Sequence, residues 1–141
     1  MIRATLPQRT TDAWGSGAYG APRGTRKHKG IDFVCVRGTI INSHVIGVVT
    51  KLGYPYSDDL SYRYVEVTDA AKLRHRFFYV EPLVEKGDVI ITDTPLGVAQ
   101  DILSRYRDPD KPPMDNHCHY EILYRNGKPI DPEKWQSEND Q

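Results

Sequence analysis

Two short segments hold residue types whose spacing suits metal chemistry: His28-Lys29-Gly30-Ile31-Asp32 and His117-Cys118-His119. Strand side chains alternate between faces, so an extended chain points His117 and His119 to one side and Cys118 to the other. Such an H-x-H pair supplies a metal ligand with a neighbouring base, or two metal ligands. A buried pair of hydrogen-bonded histidines fits the spacing equally well. Residues 28, 30 and 32 also share a face, and Gly30 leaves the space between His28 and Asp32 open to a ligand. Alone, that unit reads as an ordinary His–Asp contact at a strand start. Together the two units offer two imidazoles and one carboxylate, leaving the fourth position of a tetrahedral zinc to water. That is the pattern of a catalytic rather than a structural zinc site. No cysteine pair has zinc-ribbon spacing. The nitrogen and oxygen donors suit zinc best, with other transition metals able to substitute.

The remaining histidines, His44 and His75, have no motif partner and read as structural or solvated. Asp115 and Asn116 precede the H-x-H unit and are expected to orient a ligand imidazole from behind. Cys35 and Cys118 are too few for a disulfide framework, and each lies in an apolar or strand-like run, so both read as small buried core residues.

The elements that must position these groups are short. Runs rich in β-branched and aromatic residues cover 30–36, 44–51, 62–69, 74–81, 88–92 and 117–124, separated by turn residues such as Gly53-Tyr54-Pro55 and Arg125-Asn126-Gly127-Lys128. This is the signature of an antiparallel, mainly β domain. Only 100–107 offers a helical turn or two. Asp131-Pro132 predicts a capped single turn, with Asp131 as N-cap and Pro132 at the first helical position. Residues 7–30 read as an ordered loop rich in Gly, Pro, Arg and Thr. The 141 residues suit one domain with one core. Its expected core is 14–135, with an arm at 1–13 and a frayed polar tail at 136–141.

Nineteen basic residues balance nineteen acidic ones, which gives no reason to expect a nucleic-acid or anionic-membrane partner. Residues 1–40 are biased to basic and 81–141 to acidic, and this reads as two differently charged solvated faces. No apolar run reaches the roughly 20 residues of a membrane span, so no membrane insertion is expected. The segment 1–7 lacks the apolar core of a signal peptide. The expectation is synthesis in a cytoplasm and, for any outside role, release by another agent.

The ordered set His28-x-x-x-Asp32, Ile31-Asp32-Phe33 and His117-x-His119 resembles the signature of the lysostaphin-type (LytM-like) peptidoglycan zinc metalloendopeptidases. The likeness runs from about Trp14 to Trp135. Trp14-Gly15-Ser16-Gly17 resembles the family's opening segment, Ile46-Gly47-Val48-Val49 its G-x-V strand and 84–90 its V-x-x-G-D-x-V hairpin. Pro95-Leu96-Gly97-Val98 resembles the next strand, and Ile130-Asp131-Pro132 the closing V-D-P. The resemblance implies a single antiparallel β-sheet domain of the duplicated-hybrid-motif type, with loops around a groove. It implies one zinc ion held by His28, Asp32 and His119, with His117 as a catalytic histidine and Tyr19 as an active-site tyrosine. The sequence departs from the pattern at one place. Tyr79-Val80-Glu81-Pro82 stands where the family has Y-x-H-L, so Glu81 replaces a second catalytic histidine and is expected to act as the base.

The resemblance also implies hydrolysis of peptide bonds in bacterial peptidoglycan by a monomer, as a bacteriophage endolysin or virion-borne wall hydrolase. The alternative is a weakened or inactive wall-binding module of the same fold, because of Glu81. A lipoyl- or biotinyl-carrier barrel, suggested by the hairpin near 87–97, ranks last, since Lys86 is a poor modification site and a carrier has no use for H-x-H.

Overall fold

Alternating β-branched and aromatic residues do form sheets, and all their pairings are antiparallel. The computed structural model describes residues 19–20, 22–23, 26–27, 29–106, 109–111 and 114–139. In chain order the elements are β1 (Pro22–Arg23), β2 (Arg26–Lys27), β3 (Gly30–Val34), β4 (Ile40–Asn42), β5 (Gly47–Gly53), β6 (Tyr64–Thr68) and β7 (Arg74–Phe78). They continue with β8 (Val80–Pro82), β9 (Val89–Ile90), β10 (Pro95–Ala99), β11 (His117–Leu123), β12 (Pro129–Ile130) and α1 (Pro132–Asn139). The main sheet runs β12-β11-β7-β6-β5-β9, with β3 also paired to β11. A three-stranded sheet, β4-β10-β8, and the β1-β2 pair complete the described residues.

One face of the main sheet is apolar. Ile31, Phe33, Val65, Val67, Phe77, Cys118, Tyr120 and Ile122 are buried there, in one cluster with Ile41, Leu96 and Ala99 from the smaller sheet. Each large side chain removed from water contributes about 1.5–3 kcal/mol. Cys35 and Cys118 are buried free thiols, as expected. Gly30 also has a packing reason. A Cβ there would lie 2.1 Å from the Tyr120 carbonyl oxygen, so glycine is required for β3 to approach β11.

Three local expectations change. The run 74–81 is not one strand. It breaks at Tyr79, whose φ of 66° lies in the left-handed region, and the chain passes there from the main sheet to the smaller one. An aromatic residue in that region costs about 1–3 kcal/mol. The kink is held by Tyr79 N and Val80 N, which both donate to Arg63 O (2.9 and 3.2 Å), and by Gln100 N, which donates to Tyr79 O (2.9 Å). The described part of the segment 100–107, residues 100–106, forms no helix. It makes a tight turn in which Arg105 N donates to Ile102 O and Tyr106 N to Leu103 O, at 3.1 and 3.2 Å. The capped turn at Asp131-Pro132 exists, with Glu133 N donating to Asp131 Oδ1 at 3.0 Å, but it continues as an eight-residue helix. Residues 136–139 of the expected tail are therefore helical.

Candidate metal centre

The opposite face of the main sheet is polar, and its side chains form ordered rows. Asp32 on β3 lies directly across from His119 on β11, and His119 across from Phe78 on β7. One register step along, Gly30, Glu121, Arg76 and Glu66 line up in the same way. Asp32 Oδ1 and His119 Nδ1 are 3.0 Å apart. On the other edge of the ring, His119 Nε2 donates to Glu121 Oε1 at 2.9 Å. Glu121 is in turn 3.9 Å from Arg76 Nη1, and Arg76 Nε donates to Glu66 Oε2 at 2.8 Å. Glu121 is a site residue that the motif reading missed. Its signal is the same alternation that pairs His117 with His119, extended by two residues to H-x-H-x-E.

The two carboxylates set the electrostatics. Burial pushes the His119 imidazole down, but the hydrogen bonds and charges of Asp32 and Glu121 outweigh it and raise the pKa to about 9. This pair of anions calls for positive charge at Nδ1, and a divalent cation answers that demand in place of a proton. The geometry agrees. Two donors about 2.0–2.1 Å from one tetrahedral zinc stand roughly 3.3 Å apart, close to the observed Asp32–His119 separation of 3.0 Å. With a metal in place of the Nδ1 proton, Glu121 on the far nitrogen would hold the remaining proton on Nε2. Asp32 and His119 therefore fit a metal. His28, the third expected donor, lies outside the described residues. Among the described residues no group of three or more His, Cys, Asp or Glu side chains is placed to hold a metal ion.

His117 is buried beside this pair. Its Nδ1 can only donate to the Asp115 main-chain oxygen, 2.9 Å away. In the neutral ring the lone pair is thereby placed on Nε2, which lies 3.7 Å from Asp32 Oδ2. Asp115 thus orients the His117 imidazole rather than that of an expected ligand, and does so through its backbone. Asn116 does something else. It donates to Cys35 O and Gln100 O (2.9 and 3.0 Å) and accepts from Ile102 N (2.9 Å), tying together the loops behind the site.

The structure does not bring Glu81 or Tyr19 to these groups. Glu81 lies on β8 in the smaller sheet, is exposed, and lines a groove of about 590 Å³ with Arg37, Ser61, Tyr62, Asp101 and Ser104. Tyr19 packs against the core. Its phenol is pushed up by burial and by Asp131 and Tyr124, which lie past the end of β11 farthest from His117. The aromatic ring that does meet His117 is Tyr79, at 5.8 Å between ring centroids and nearly perpendicular, while Phe78 meets His119 at 5.2 Å. Tyr79 Oη accepts a hydrogen bond from Tyr56 Oη at 3.1 Å, and Tyr56 Oη is 3.0 Å from Tyr106 Oη. The Arg105 guanidinium covers the Tyr56 ring at 3.5 Å. His44 and His75 lie on the opposite, apolar side of the sheet, linked through the Tyr120 hydroxyl.

No protein-family model matches the chain. Leukocyte cell-derived chemotaxin-2 of Mus musculus is similar, at 29% identity over 86 residues, which covers 57% of this chain and 54% of that protein. The chain thus spans about half the length of that curated relative. Among solved structures, the catalytic domain of the antimicrobial peptidase lysostaphin from Staphylococcus simulans superposes with a TM-score of 0.66 at 17% identity, covering 95% of this chain and 94% of that one. The catalytic domain of the prophage-encoded protein EnpA from Enterococcus faecalis gives 0.65 at 20% identity, over 92% and 96%. A zinc containing peptidase from Vibrio cholerae gives 0.59 at 22% identity, over 89% of this chain and 35% of its own. The fold is the mainly antiparallel β fold of lysostaphin-type domains.

Proposed function

We propose that this chain is a zinc-dependent endopeptidase acting on the peptide bonds of bacterial peptidoglycan. The observation that carries the reading is the pairing of Asp32 Oδ1 with His119 Nδ1 at 3.0 Å, beside a His117 ring whose Nδ1 is committed to a backbone carbonyl. The shared fold with structures described as peptidases, one of them zinc containing, supports it.

His28, Asp32 and His119 would hold the ion. When bound, zinc lowers the pKa of a water to about 7 and polarises a carbonyl as a Lewis acid. The chain's own residues do the rest. His117 Nε2 accepts the proton of the attacking water and returns it to the leaving amine, a role worth about 10²–10⁴-fold in rate. The Asp115 carbonyl holds the His117 ring in the tautomer that permits this. Glu121 holds the His119 ring so that Nδ1 faces Asp32.

A second reading is a wall-binding module with little or no turnover. The position of Glu81, exposed on the smaller sheet in a groove whose lining does not include His117, favours it, because the residue in the sequence slot of a second catalytic histidine then contributes no base. Digestion of purified peptidoglycan separates the two readings. Soluble muropeptides that vanish with chelator and return with zinc support the peptidase, and their masses identify the bond cut. No release at any zinc concentration would leave the binding module.

A further inference from the structure

We propose that Tyr79 is a catalytic residue whose hydroxyl donates a hydrogen bond to the oxyanion that forms on the scissile carbonyl, at the place beside His117 that the sequence pattern assigns to Glu81. This rests on the peptidase reading and deepens it.

Three observations carry the assignment. The first is position. The Tyr79 ring packs edge-on against His117, 5.8 Å between centroids, while the adjacent Phe78 packs on His119. The second is the direction of the hydroxyl chain. Tyr56 donates to Tyr79, which commits the Tyr56 proton, so in the Tyr56–Tyr106 pair the donor must be Tyr106. The hydrogens therefore point Tyr106 to Tyr56 to Tyr79, and the last of them, on Tyr79, finds no acceptor among the described residues. Tyr79 is only partly buried, so this O–H is left to donate to water or to a ligand. The third is backbone strain. Tyr79 is held at a φ of 66° by three main-chain hydrogen bonds. Strained backbone of this kind gathers at functional sites, where the surroundings overrule local preference.

The chemistry fits an oxyanion better than a neutral carbonyl. Burial, with the neighbouring Tyr106, holds the phenol above its usual pKa, and a tyrosine hydroxyl is in any case protonated near neutral pH, so it acts as a donor rather than a base. A donor aimed at charge that appears only in the tetrahedral state lowers the barrier without tightening substrate binding. A carboxylate in that place would be an acceptor only and could not do this.

The test is Tyr79→Phe, which keeps the ring against His117 and removes only the hydroxyl. In zinc-loaded protein, kcat on peptidoglycan should fall about 10²-fold with KM within about twofold and zinc stoichiometry intact. Inorganic phosphate, a tetrahedral oxyanion, is titrated into the same zinc-loaded proteins by calorimetry. It should bind the variant about tenfold more weakly. Tyr56→Phe, which leaves the Tyr79 hydroxyl but removes the donor that orients it, should show a smaller loss of both. Wild-type kcat in Tyr79→Phe with zinc bound would overturn the proposal. Should wild-type protein release no muropeptides, the peptidase reading fails separately. The phosphate titration then still decides whether Tyr79 is an anion donor, and equal affinities would overturn that.

Discussion

Asp32 and His119 face each other across the β3–β11 ladder, with Oδ1 3.0 Å from Nδ1. The two distant segments are thus joined by backbone pairing rather than by loops. A one-residue slip of β3 would turn Asp32 to the apolar face. If these two atoms bind metal, His119→Ala should lose zinc, since removing one of three protein ligands dismantles the site. His117→Ala should keep zinc and lose about 10²–10⁴-fold in turnover. Metal analysis of the purified variants distinguishes these roles, and full zinc occupancy in His119→Ala would refute the ligand assignment.

Glu121 supports His119 from behind, accepting from Nε2 at 2.9 Å. Glu121→Gln keeps the shape but removes the charge. Zinc affinity, measured by competition with a chelator of known strength, should fall about 10–100-fold. An unchanged affinity would mean that Arg76 already neutralises Glu121, and that the carboxylate is structural.

Gly30→Ala should damage the centre without touching a ligand. The added Cβ would lie 2.1 Å from Tyr120 O, a backbone atom that moves only if β3 separates from β11. Overpacking of this kind costs about 1–3 kcal/mol or more. The variant should melt at a lower temperature and bind zinc more weakly, because Asp32 travels with β3. Thermal melts with and without zinc would show this, and a wild-type melt would mean that the ladder absorbs the strain.

How far the sequence carries the fold and site depends on whether the controlling feature is periodic. The strands around His117–Leu123 and Tyr64–Thr68 are legible because their alternation is regular, and the same period fixes Asp32 and His119 on one face. Pro132 behind an Asp cap likewise marks the true start of α1. Tyr79 is different. Matching Tyr79-Val80-Glu81 against Y-x-H assumes extended backbone throughout. The left-handed φ of 66° at Tyr79 breaks that assumption, sends Val80 and Glu81 into another sheet, and leaves the tyrosine ring at His117. No propensity flags a positive φ at tyrosine. Gly30 stands out in the sequence as a special position, but its reason, a carbonyl on a strand far away in sequence, is tertiary.

Glu81→Gln provides a direct check on that displacement. Glu81 is exposed and borders a groove that includes none of Asp32, His117 and His119. Turnover should stay within about threefold of wild type, as for an exposed substitution away from the chemistry. A loss of 10²-fold or more would restore Glu81 as the proton acceptor and would require the chain near Tyr79 to rearrange when substrate binds.

Stability should fall in mild acid because of a buried chain on the other side of the sheet. Asp69 Oδ2 accepts from His75 Nε2 at 2.8 Å, so with the His75 ring singly protonated its Nδ1 accepts from the Tyr120 hydroxyl at 2.7 Å. Tyr120 Oη then accepts from His44 Nε2 at 2.9 Å, and His44 Nδ1 is left buried with no partner among the described residues. An unpaired acceptor there is tolerable, whereas protonation would bury an unpaired N–H and a charge. Burial, with a smaller push from His75, accordingly holds His44 down to about 3. Below the ordinary histidine value of about 6.5 the unfolded chain takes up a proton that the folded chain refuses, so stability is lost as pH falls from about 6.5 toward 3. The slope is about 1.4 kcal/mol per pH unit, or about 2 kcal/mol by pH 5 from this one group. Urea unfolding at pH 7, 6 and 5 should show the loss, and His44→Gln should flatten it even though the lost packing against Tyr120 and Trp135 lowers stability at every pH. Equal slopes in the two proteins would mean that His44 takes up its proton in the folded state as readily as in the unfolded one.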